Sequence, residues 1–249
     1  KEALKLGADY IATGHYARLI DGKLYRGLDA NKDQTYFLSQ VSKQQLARVL
    51  FPVGELTKSE VRKIAQTYNL ITADKKDSTG ICFIGERNFK QFLTNYLPNQ
   101  PGKIIDIKTK KTLGTHEGLM YYTIGQRRGL HVGGTAERLF VAGKDLDNNI
   151  LYVAMGNENK YLLSTSAEIE EVNLLDEIPV KCTAKFRYRQ PDNEVTVEPL
   201  ANGNLLVKYP QGIKAVTPGQ ACVFYKGEEC LGGGIVKAVY NENGQMVYF

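Results

Sequence analysis

The hydrophobic pattern changes character along this 249-residue chain. In the first part, apolar positions recur at helical spacing, most clearly where Ile64 and Tyr68 follow a Thr-x-x-Glu capping box that starts at Thr57. After Leu162, apolar and polar residues alternate in short stretches separated by Gly, Asn or Pro, which is typical of closely spaced strands. We therefore expect an α/β part followed by a small antiparallel β-barrel.

Local signals predict further elements near the N-terminus. The apolar run in DYIATGHY predicts a short buried strand that ends at Gly14 and His15, at the position where open α/β sheets bind ligands. Asp21-Gly22 between two apolar runs predicts a β-hairpin turn. Ser42 is a predicted helix N-cap.

Composition restricts the class of protein. With 43% hydrophobic and 24% charged residues, the chain resembles an average globular protein. It has no apolar run of about 18–20 residues and no signal-peptide pattern, so we expect a cytoplasmic protein without a membrane partner. Lys1-Glu2-Ala3-Leu4 begins inside an apolar helical pattern without a capping residue, which indicates a chain cut inside a larger domain.

The four cysteines form no C-x-x-C pair and no Cys/His cluster with zinc spacing, so neither a disulfide framework nor a metal site is predicted. Cys82 lies in DSTGICFIGER near Lys75, Lys76 and Arg87, ahead of a predicted helix. Such surroundings lower a thiol pKa and favour the nucleophilic thiolate. The alternative, which spacing alone favours, is a small apolar residue packed between apolar neighbours. The remaining three are interpreted as strand-packing residues: Cys182, Cys222 and Cys230.

The basic residues are more informative than the net charge of +5, which permits a nucleic-acid partner without establishing one. In KFRYRQ, strand alternation would place Lys185, Arg187 and Arg189 on one face and Phe186 and Tyr188 on the other. Three cations in a row suit a phosphate backbone, and the alternative is a merely solvated strand face.

Other polar positions carry weaker signals. Arg127-Arg128, between glycines, predicts a second exposed cationic turn. His15 is equally consistent with a ligand contact and with a structural role, whereas His116 and His131 lie in Gly-rich sequence that predicts loops and no catalytic role. The chain contains neither G-x-x-x-x-G-K-[ST] nor a strand-linked G-x-G-x-x-G, so it shows no phosphate-binding loop for ATP.

Several blocks together resemble one family, the tRNA-specific 2-thiouridylases, which install sulfur at C2 of the wobble uridine. The blocks are collinear over nearly the whole chain, which makes the resemblance specific. They are ATGHYAR, NKDQTYFL, FPVGELTKSEVRKIA, KKDSTGICFIGER, GLMYYTIGQRRGL, KFRYRQ, TPGQACVFY and CLGGG.

The resemblance implies three domains and a reaction. The domains are the C-terminal part of an α/β ATP-pyrophosphatase domain (adenine nucleotide α-hydrolase-like) at 1–86, a small central domain at 87–162 and a C-terminal antiparallel β-barrel at 163–249. In the implied reaction, ATP, with Mg expected, adenylates O2 of uridine 34, and a cysteine persulfide delivers sulfur. The implied partners are tRNAs of the Lys, Glu and Gln types and a sulfur donor, either a cysteine desulfurase or a sulfur-relay protein.

The resemblance also assigns roles to single residues. Cys82 falls on the persulfide-carrying cysteine, and Gly14 falls on a position that contacts ATP. The positions that match tRNA contacts are His15, Lys32, Asp33, Gln34, Arg187, Tyr188 and Gln220. The family's Ser-Gly-Gly-Val-Asp-Ser type loop and its partner cysteine are expected ahead of Lys1, so we expect the 249 residues to be inactive alone.

Two alternatives remain open. In the first, the chain is a non-catalytic tRNA-binding module in which Cys82 is incidental. In the second, the ATP-pyrophosphatase ancestry serves a small-molecule ligase similar to argininosuccinate synthase, against which the basic strand face and the barrel argue.

Overall fold

A computed structural model describes residues 2–74, 89–156 and 160–246. Cys82 and the surrounding segment DSTGICFIGER lie outside these described residues. The chain divides into two compact units. The first unit comprises Lys1–Lys75, Ser166–Pro210 and Pro218–Ala238, and the second comprises Lys76–Thr165, Gln211–Thr217 and Val239–Phe249.

The N-terminal part of the first unit contains short elements set by local signals. They are α1 (Glu2–Lys5), β1 (Ile11–Ala12), β2 (Ala17–Ile20), β3 (Lys23–Arg26), α2 (Thr35–Leu38), α3 (Lys43–Leu46), β4 (Val49–Leu50) and α4 (Lys58–Thr67). The predicted hairpin is confirmed, since Asp21 and Gly22 have φ values of 50° and 76° and join β2 to β3. The predicted caps are confirmed as well: Ser42 and Thr57 each form a reciprocal capping box, with Gln45 and Glu60.

The expectation of a buried first strand is wrong in one respect. Ile11 in β1 is 42% exposed, although β1 does form a strand and pairs in parallel with β4. Within the described residues β4 is its sole strand partner, and both residues of β1 are exposed. The apolar stripe of α4 is exposed in the same way, with Tyr68 at 73%.

The described part of the second unit contains a short helix and a four-stranded sheet. The elements are α5 (Phe89–Thr94), β5 (Gly102–Asp106), β6 (Thr112–His116), the 3-10 turn Leu119–Tyr121, β7 (Leu139–Asp145) and β8 (Ile150–Met155). The strand order is β6-β5-β8-β7, in which the central β5–β8 pair is parallel. Ile104, Val141, Leu151 and Val153, all fully buried, lie at the centre of its core.

The C-terminal strands form the predicted antiparallel β-barrel, which is confirmed. They are β9 (Leu163–Leu174), β10 (Lys181–Lys185), β11 (Asn193–Pro199), β12 (Leu205–Lys214), β13 (Ala221–Lys226), β14 (Glu229–Asn241) and β15 (Gly244–Gln245). The order β13-β10-β11-β12-β9-β14 closes because β13 also pairs with β14. Closure gives each of the six strands a partner on both sides. Strand β3 extends this sheet, with Tyr25 opposite Glu229.

The glycines of CLGGG allow neighbouring backbone segments to approach β14. A Cβ at Gly232 would collide with the carbonyl of Asn173, and a Cβ at Gly233 would collide with the carbonyl of Cys222. A Cβ at Gly234 would lie 2.5 Å from Ile169 Cγ2. The run of glycines therefore reflects tight packing inside the barrel sheet.

One core joins the N-terminal elements of the first unit to its barrel strands. Leu24, Tyr36 and Leu46 pack with Val223 and Tyr225 in a single buried cluster. The loop before α3 is tied down as well, because the Asn173 side-chain amide donates to the carbonyls of residues 39 and 41 at 2.7 and 3.2 Å. Within the described residues, no helix has both the length and the apolar character needed to cross a membrane.

Candidate nucleic-acid interface

Four segments that are far apart in sequence meet in the first unit: 13–16, 32–37, 186–190 and 220–221. Tyr16 and Gln34 join the first two, since the Tyr16 amide donates to Gln34 Oε1 and the Gln34 amide donates to the Tyr16 carbonyl, both at 3.0 Å. The Tyr36 hydroxyl donates to the carbonyl of Ala221 at 2.9 Å. These bonds place His15 beside one end of the 32–37 segment and Gln220, which is exposed, beside the other.

The loop that carries Lys32 and Gln34 is braced by Asp33 from within. Asp33 is 7% exposed, and its Oδ1 accepts from the amides of Gly27 and Thr35, both at 3.2 Å. The Thr35 hydroxyl donates to the same carboxylate at 2.9 Å. Lys32 and Gln34 are half-buried at the loop surface. The tRNA contacts of Lys32, Asp33 and Gln34 all remain predictions.

Three aromatic rings connect this loop to the segment after β10. The Phe37 and Tyr188 ring centroids lie 4.5 Å apart, and Tyr36 lies 5.5 Å from Phe37 and 6.2 Å from Tyr188. Burial raises the pKa of Tyr36 to about 12, and the positive charge of Arg187 acts in the opposite direction. The Arg189 guanidinium lies 5.5 Å from the Tyr188 ring centroid. Aromatic rings and cations thus occupy the same surface.

The strand interpretation of KFRYRQ is wrong beyond its first residue. β10 ends at Lys185, and residues 186–190 form a turn closed by the Gln190 amide, which donates to the Arg187 carbonyl at 3.1 Å. Arg189 has a left-handed φ of 66°, which a strand does not allow. Phe186 is buried, and the Gln190 side chain accepts from its amide at 2.8 Å. The turn still presents Arg187 and Tyr188 beside the 32–37 segment.

Lys185 lies in a cluster with Arg26, Asp192 and Tyr225 that the sequence did not predict. Arg26 Nη2 donates to both carboxylate oxygens of Asp192 at 2.9 Å, and its guanidinium lies 4.0 Å from the Tyr225 ring centroid. Burial by itself lowers the pKa of Arg26, and the bonds and charge of Asp192 outweigh it, so the net pKa is raised. Lys185 Nζ lies 3.7 Å from Asp192, so Lys185 belongs to this cluster instead of forming a row with Arg187 and Arg189.

Gly14, the predicted ATP contact, lies two residues beyond the end of β1. Gly14 is exposed, and a Cβ added there would meet nothing within 4 Å, so a ligand could approach its backbone. His15 Nδ1 lies 2.8 Å from the Thr13 hydroxyl, and this contact fixes the orientation of the half-buried imidazole. Among the described residues no group of three His, Cys, Asp or Glu side chains is arranged to hold a metal ion.

The three described cysteines are packing residues, as predicted. Cys222 and Cys230 are buried and Cys182 is half-buried. Burial raises the pKa of Cys182 to about 11 and that of Cys230 to about 12, and it raises the pKa of Cys222 well above the ordinary value. All three are therefore protonated thiols at neutral pH. Cys82, the predicted persulfide carrier, lies outside the described residues.

In the second unit, the predicted cationic turn is confirmed, since Arg127 and Arg128 are exposed. Arg127 and Arg138 line an open cleft of about 830 Å³.

The prediction that His116 lies in a loop is wrong, because it is the last residue of β6 and is 1% exposed. Its Nε2 lies 3.2 Å from the Asn149 carbonyl, and burial lowers its pKa.

Three protein-family models match consecutive parts of the chain. Residues 1–86 match the tRNA methyl transferase HUP domain, residues 90–155 the tRNA methyl transferase PRC-barrel domain, and residues 164–236 the aminomethyltransferase beta-barrel domain.

Curated relatives match the chain from end to end. It is 57% identical to the tRNA-specific 2-thiouridylase MnmA 2 of Geobacillus kaustophilus over 259 aligned residues, which cover 100% of the chain and 69% of that relative. It is 56% identical to the tRNA-specific 2-thiouridylase MnmA of Geobacillus thermodenitrificans, again with 100% and 69% covered. The corresponding protein of Staphylococcus carnosus is 53% identical, with 99% and 69% covered.

Proposed function

The chain belongs to the tRNA-specific 2-thiouridylase family, and from this membership we propose that it binds the anticodon region of tRNA and carries sulfur to C2 of uridine 34. The surface that would bind the RNA is the one formed by 13–16, 32–37, 186–190 and 220–221.

The convergence of these four segments is the observation that carries the proposal. Lys32, Gln34 and Arg187 bring amide and cationic groups to the surface that holds Tyr188 and Phe37. Sequence-specific RNA recognition favours unpaired loops, whose bases stack on aromatic rings and pair along their polar edges. An anticodon loop offers both kinds of contact at once.

The co-substrate, ATP with Mg²⁺, supplies the adenylate that activates O2 of the uridine as a leaving group. Gly14 follows β1 at its carboxyl end, where nucleotides bind in open α/β sheets, and the space beside it is open. These two features fit a nucleotide that approaches the backbone of Gly14. His15, the next residue, would then lie between the nucleotide and the RNA.

Cys82 is the proposed sulfur carrier on the basis of family membership. Its thiolate takes a sulfane sulfur from a cysteine desulfurase or a sulfur-relay protein and becomes a persulfide. The terminal sulfur forms a bond to C2, and O2 departs on AMP. A second thiol then attacks Cys82 Sγ, which breaks the sulfur–sulfur bond, leaves a disulfide on the protein and leaves the new sulfur on the base.

Intact-protein mass spectrometry tests the carrier role. The chain is incubated with a cysteine desulfurase and cysteine, and the wild type is compared with Cys82→Ser and with the matched control Cys182→Ser. We expect a gain of one sulfur atom in the wild type and the control, removable by reductant, and no gain in Cys82→Ser. Equal gain in all three proteins would contradict the role of Cys82.

The same samples separate the second candidate, a tRNA-binding module without sulfur chemistry. Among the described residues, the segments 13–16, 32–37 and 220–221 are joined by hydrogen bonds and ring contacts link 32–37 to 186–190, and this preformed surface favours an RNA-binding role. A folded chain that binds tRNA but gains no sulfur in any variant would support the binding module.

A further inference from the structure

Phe37 exposes an aromatic ring in the middle of an otherwise buried helix. Its side chain is 53% exposed, whereas its neighbours Tyr36 and Leu38 in α2 are 7% and 8% exposed. An isolated exposed apolar residue is ordinary on a protein surface. Phe37 differs because its ring is held by other rings.

Two contacts fix the orientation of this ring. The ring of Tyr188 lies 4.5 Å away at an interplanar angle of 47°, and that of Tyr36 meets it edge-on at 5.5 Å and 89°. Tyr36 is itself anchored on the barrel by the bond from its hydroxyl to Ala221. The Phe37 amide donates to the Gln34 carbonyl at 3.0 Å, which fixes the backbone. The ring is thus ordered before any ligand binds, so binding loses little side-chain entropy.

The charge around the ring selects the class of ligand. Arg189 lies 5.5 Å from the Tyr188 ring centroid, and the charge of Arg187 acts on the Tyr36 hydroxyl. An aromatic platform flanked by guanidinium groups matches single-stranded nucleic acid, whose bases stack while its phosphates meet the cations.

We propose that Phe37 and Tyr188 form a stacking shelf that holds one unpaired base of the bound RNA. The inference rests on the proposed RNA-binding function and adds to it a base-binding position at Phe37. The base would lie against the exposed part of the Phe37 ring, and its backbone would run toward Arg187 and Arg189.

The test uses the full chain and an RNA hairpin whose single-stranded loop carries 2-aminopurine at each loop position in turn. Stacking quenches 2-aminopurine fluorescence, and a titration gives the dissociation constant. We expect one loop position to be quenched on binding to the wild type. Phe37→Ala should weaken binding by about 10-fold, within the range for loss of one aromatic–base stack, and should restore the fluorescence at that position.

Two further variants separate stacking from hydrophobic burial and from folding. Phe37→Tyr keeps the ring and should bind as the wild type does, whereas Phe37→Leu keeps apolar volume without a ring and should bind as Phe37→Ala does. The dependence of affinity on salt should be unchanged in all three, because no cation is removed. Tyr68→Ala, which removes another exposed ring of the same unit, is the matched control and should change nothing.

The outcomes are distinguishable. If Phe37→Leu binds as the wild type does, or if no loop position loses its quenching in Phe37→Ala, the shelf is overturned while the RNA-binding function stands. If the wild-type chain binds no hairpin, the proposed function fails and the shelf fails with it. If Phe37→Ala does not fold, the comparison of Phe37→Tyr with Phe37→Leu decides. Intact RNA binding combined with weakened binding of a sulfur-donor protein would make Phe37 a protein contact.

Discussion

Thr35 donates two hydrogen bonds to the carboxylate of Asp33, one from its backbone amide at 3.2 Å and one from its hydroxyl at 2.9 Å. A third comes from the amide of Gly27. Asp33 and Thr35 are both buried, so the Asp33 carboxylate accepts hydrogen bonds from backbone amides that would otherwise have no partner. Asp33 therefore acts first on the shape of its loop, and through the loop on Lys32 and Gln34.

Asp33→Ala should destabilise the chain and weaken RNA binding together. We expect the free energy of unfolding to fall by about 2–6 kcal/mol, since each of the two abandoned amide donors costs roughly 1–3 kcal/mol. Asp33→Asn keeps an acceptor oxygen for both amides and should lose clearly less. Urea denaturation measures the first effect and fluorescence anisotropy with a tRNA hairpin measures the second.

The matched control is Asp9→Ala, which removes an exposed carboxylate from the same unit and should leave both quantities unchanged. If Asp33→Ala were as stable as the wild type but bound RNA poorly, the carboxylate would act on the RNA directly and the bracing role would be wrong.

Arg187→Ala should change the salt dependence of RNA binding. If Arg187 contacts one phosphate of a single-stranded loop, its removal makes the negative slope of log K against log salt concentration shallower by about 0.7. The measurement is anisotropy at several KCl concentrations. Lys208→Ala is the control, because Lys208 Nζ is paired with both Glu198 oxygens at 2.7 Å. An unchanged slope for Arg187→Ala would place Arg187 away from the phosphates.

Elements with local causes were predictable from sequence, and the site was predictable only in part. The turn at Asp21-Gly22 and the cap at Thr57 depend on residues within a few positions of each other. The barrel was predictable because alternation repeats over many strands. By contrast, Arg26 and Asp192 are separated by 166 positions, so no local pattern indicates that they pair.

The two errors in the first unit share that origin. Alternation in KFRYRQ predicted a strand past Lys185, because the pattern could not show that the Gln190 backbone amide closes a turn there and that its side chain accepts from the Phe186 amide. Likewise the apolar character of Ile11 predicted burial, although burial depends on which layers cover the strand. The sequence does not indicate a surface role for Phe37, because Tyr36 and Phe37 are adjacent aromatic residues that differ only in their exposure in the folded chain.

Gly233→Ala should destabilise the barrel. The new Cβ would collide with the Cys222 carbonyl and lie 3.3 Å from Ser39 Cβ, so β14 would have to move away from β13. Overpacking of this kind costs about 1–3 kcal/mol. Urea denaturation followed by far-UV circular dichroism measures the loss.

Gly133→Ala is the control for that substitution, because nothing lies within 4 Å of its Cβ position. Its φ is also outside the left-handed region, so Ala is tolerated there. Equal stability of the two variants would mean that the approach of β13 and β14 at Gly233 is looser than the structure indicates.

The raised thiol pKa values predict which cysteines react in the folded chain. With a pKa of about 11, Cys182 is about 0.1% thiolate at pH 8, whereas an ordinary thiol with a pKa near 8.5 is roughly one quarter thiolate. Cys222 and Cys230 are shifted in the same direction. Iodoacetamide at pH 8 should therefore leave all three unlabelled in the native chain, as measured by peptide mapping, and should label them in urea.

The raised pKa of Cys182 also determines how its labelling rate depends on pH. A raised pKa means that the labelling rate of Cys182 should increase about tenfold per pH unit until it approaches about 11, instead of levelling off near pH 8.5. Labelling of Cys182 at pH 8 as fast as a free thiol would refute its burial. Because a sulfur carrier must attack its donor as a thiolate, the expected result would argue against Cys182, Cys222 and Cys230 as carriers.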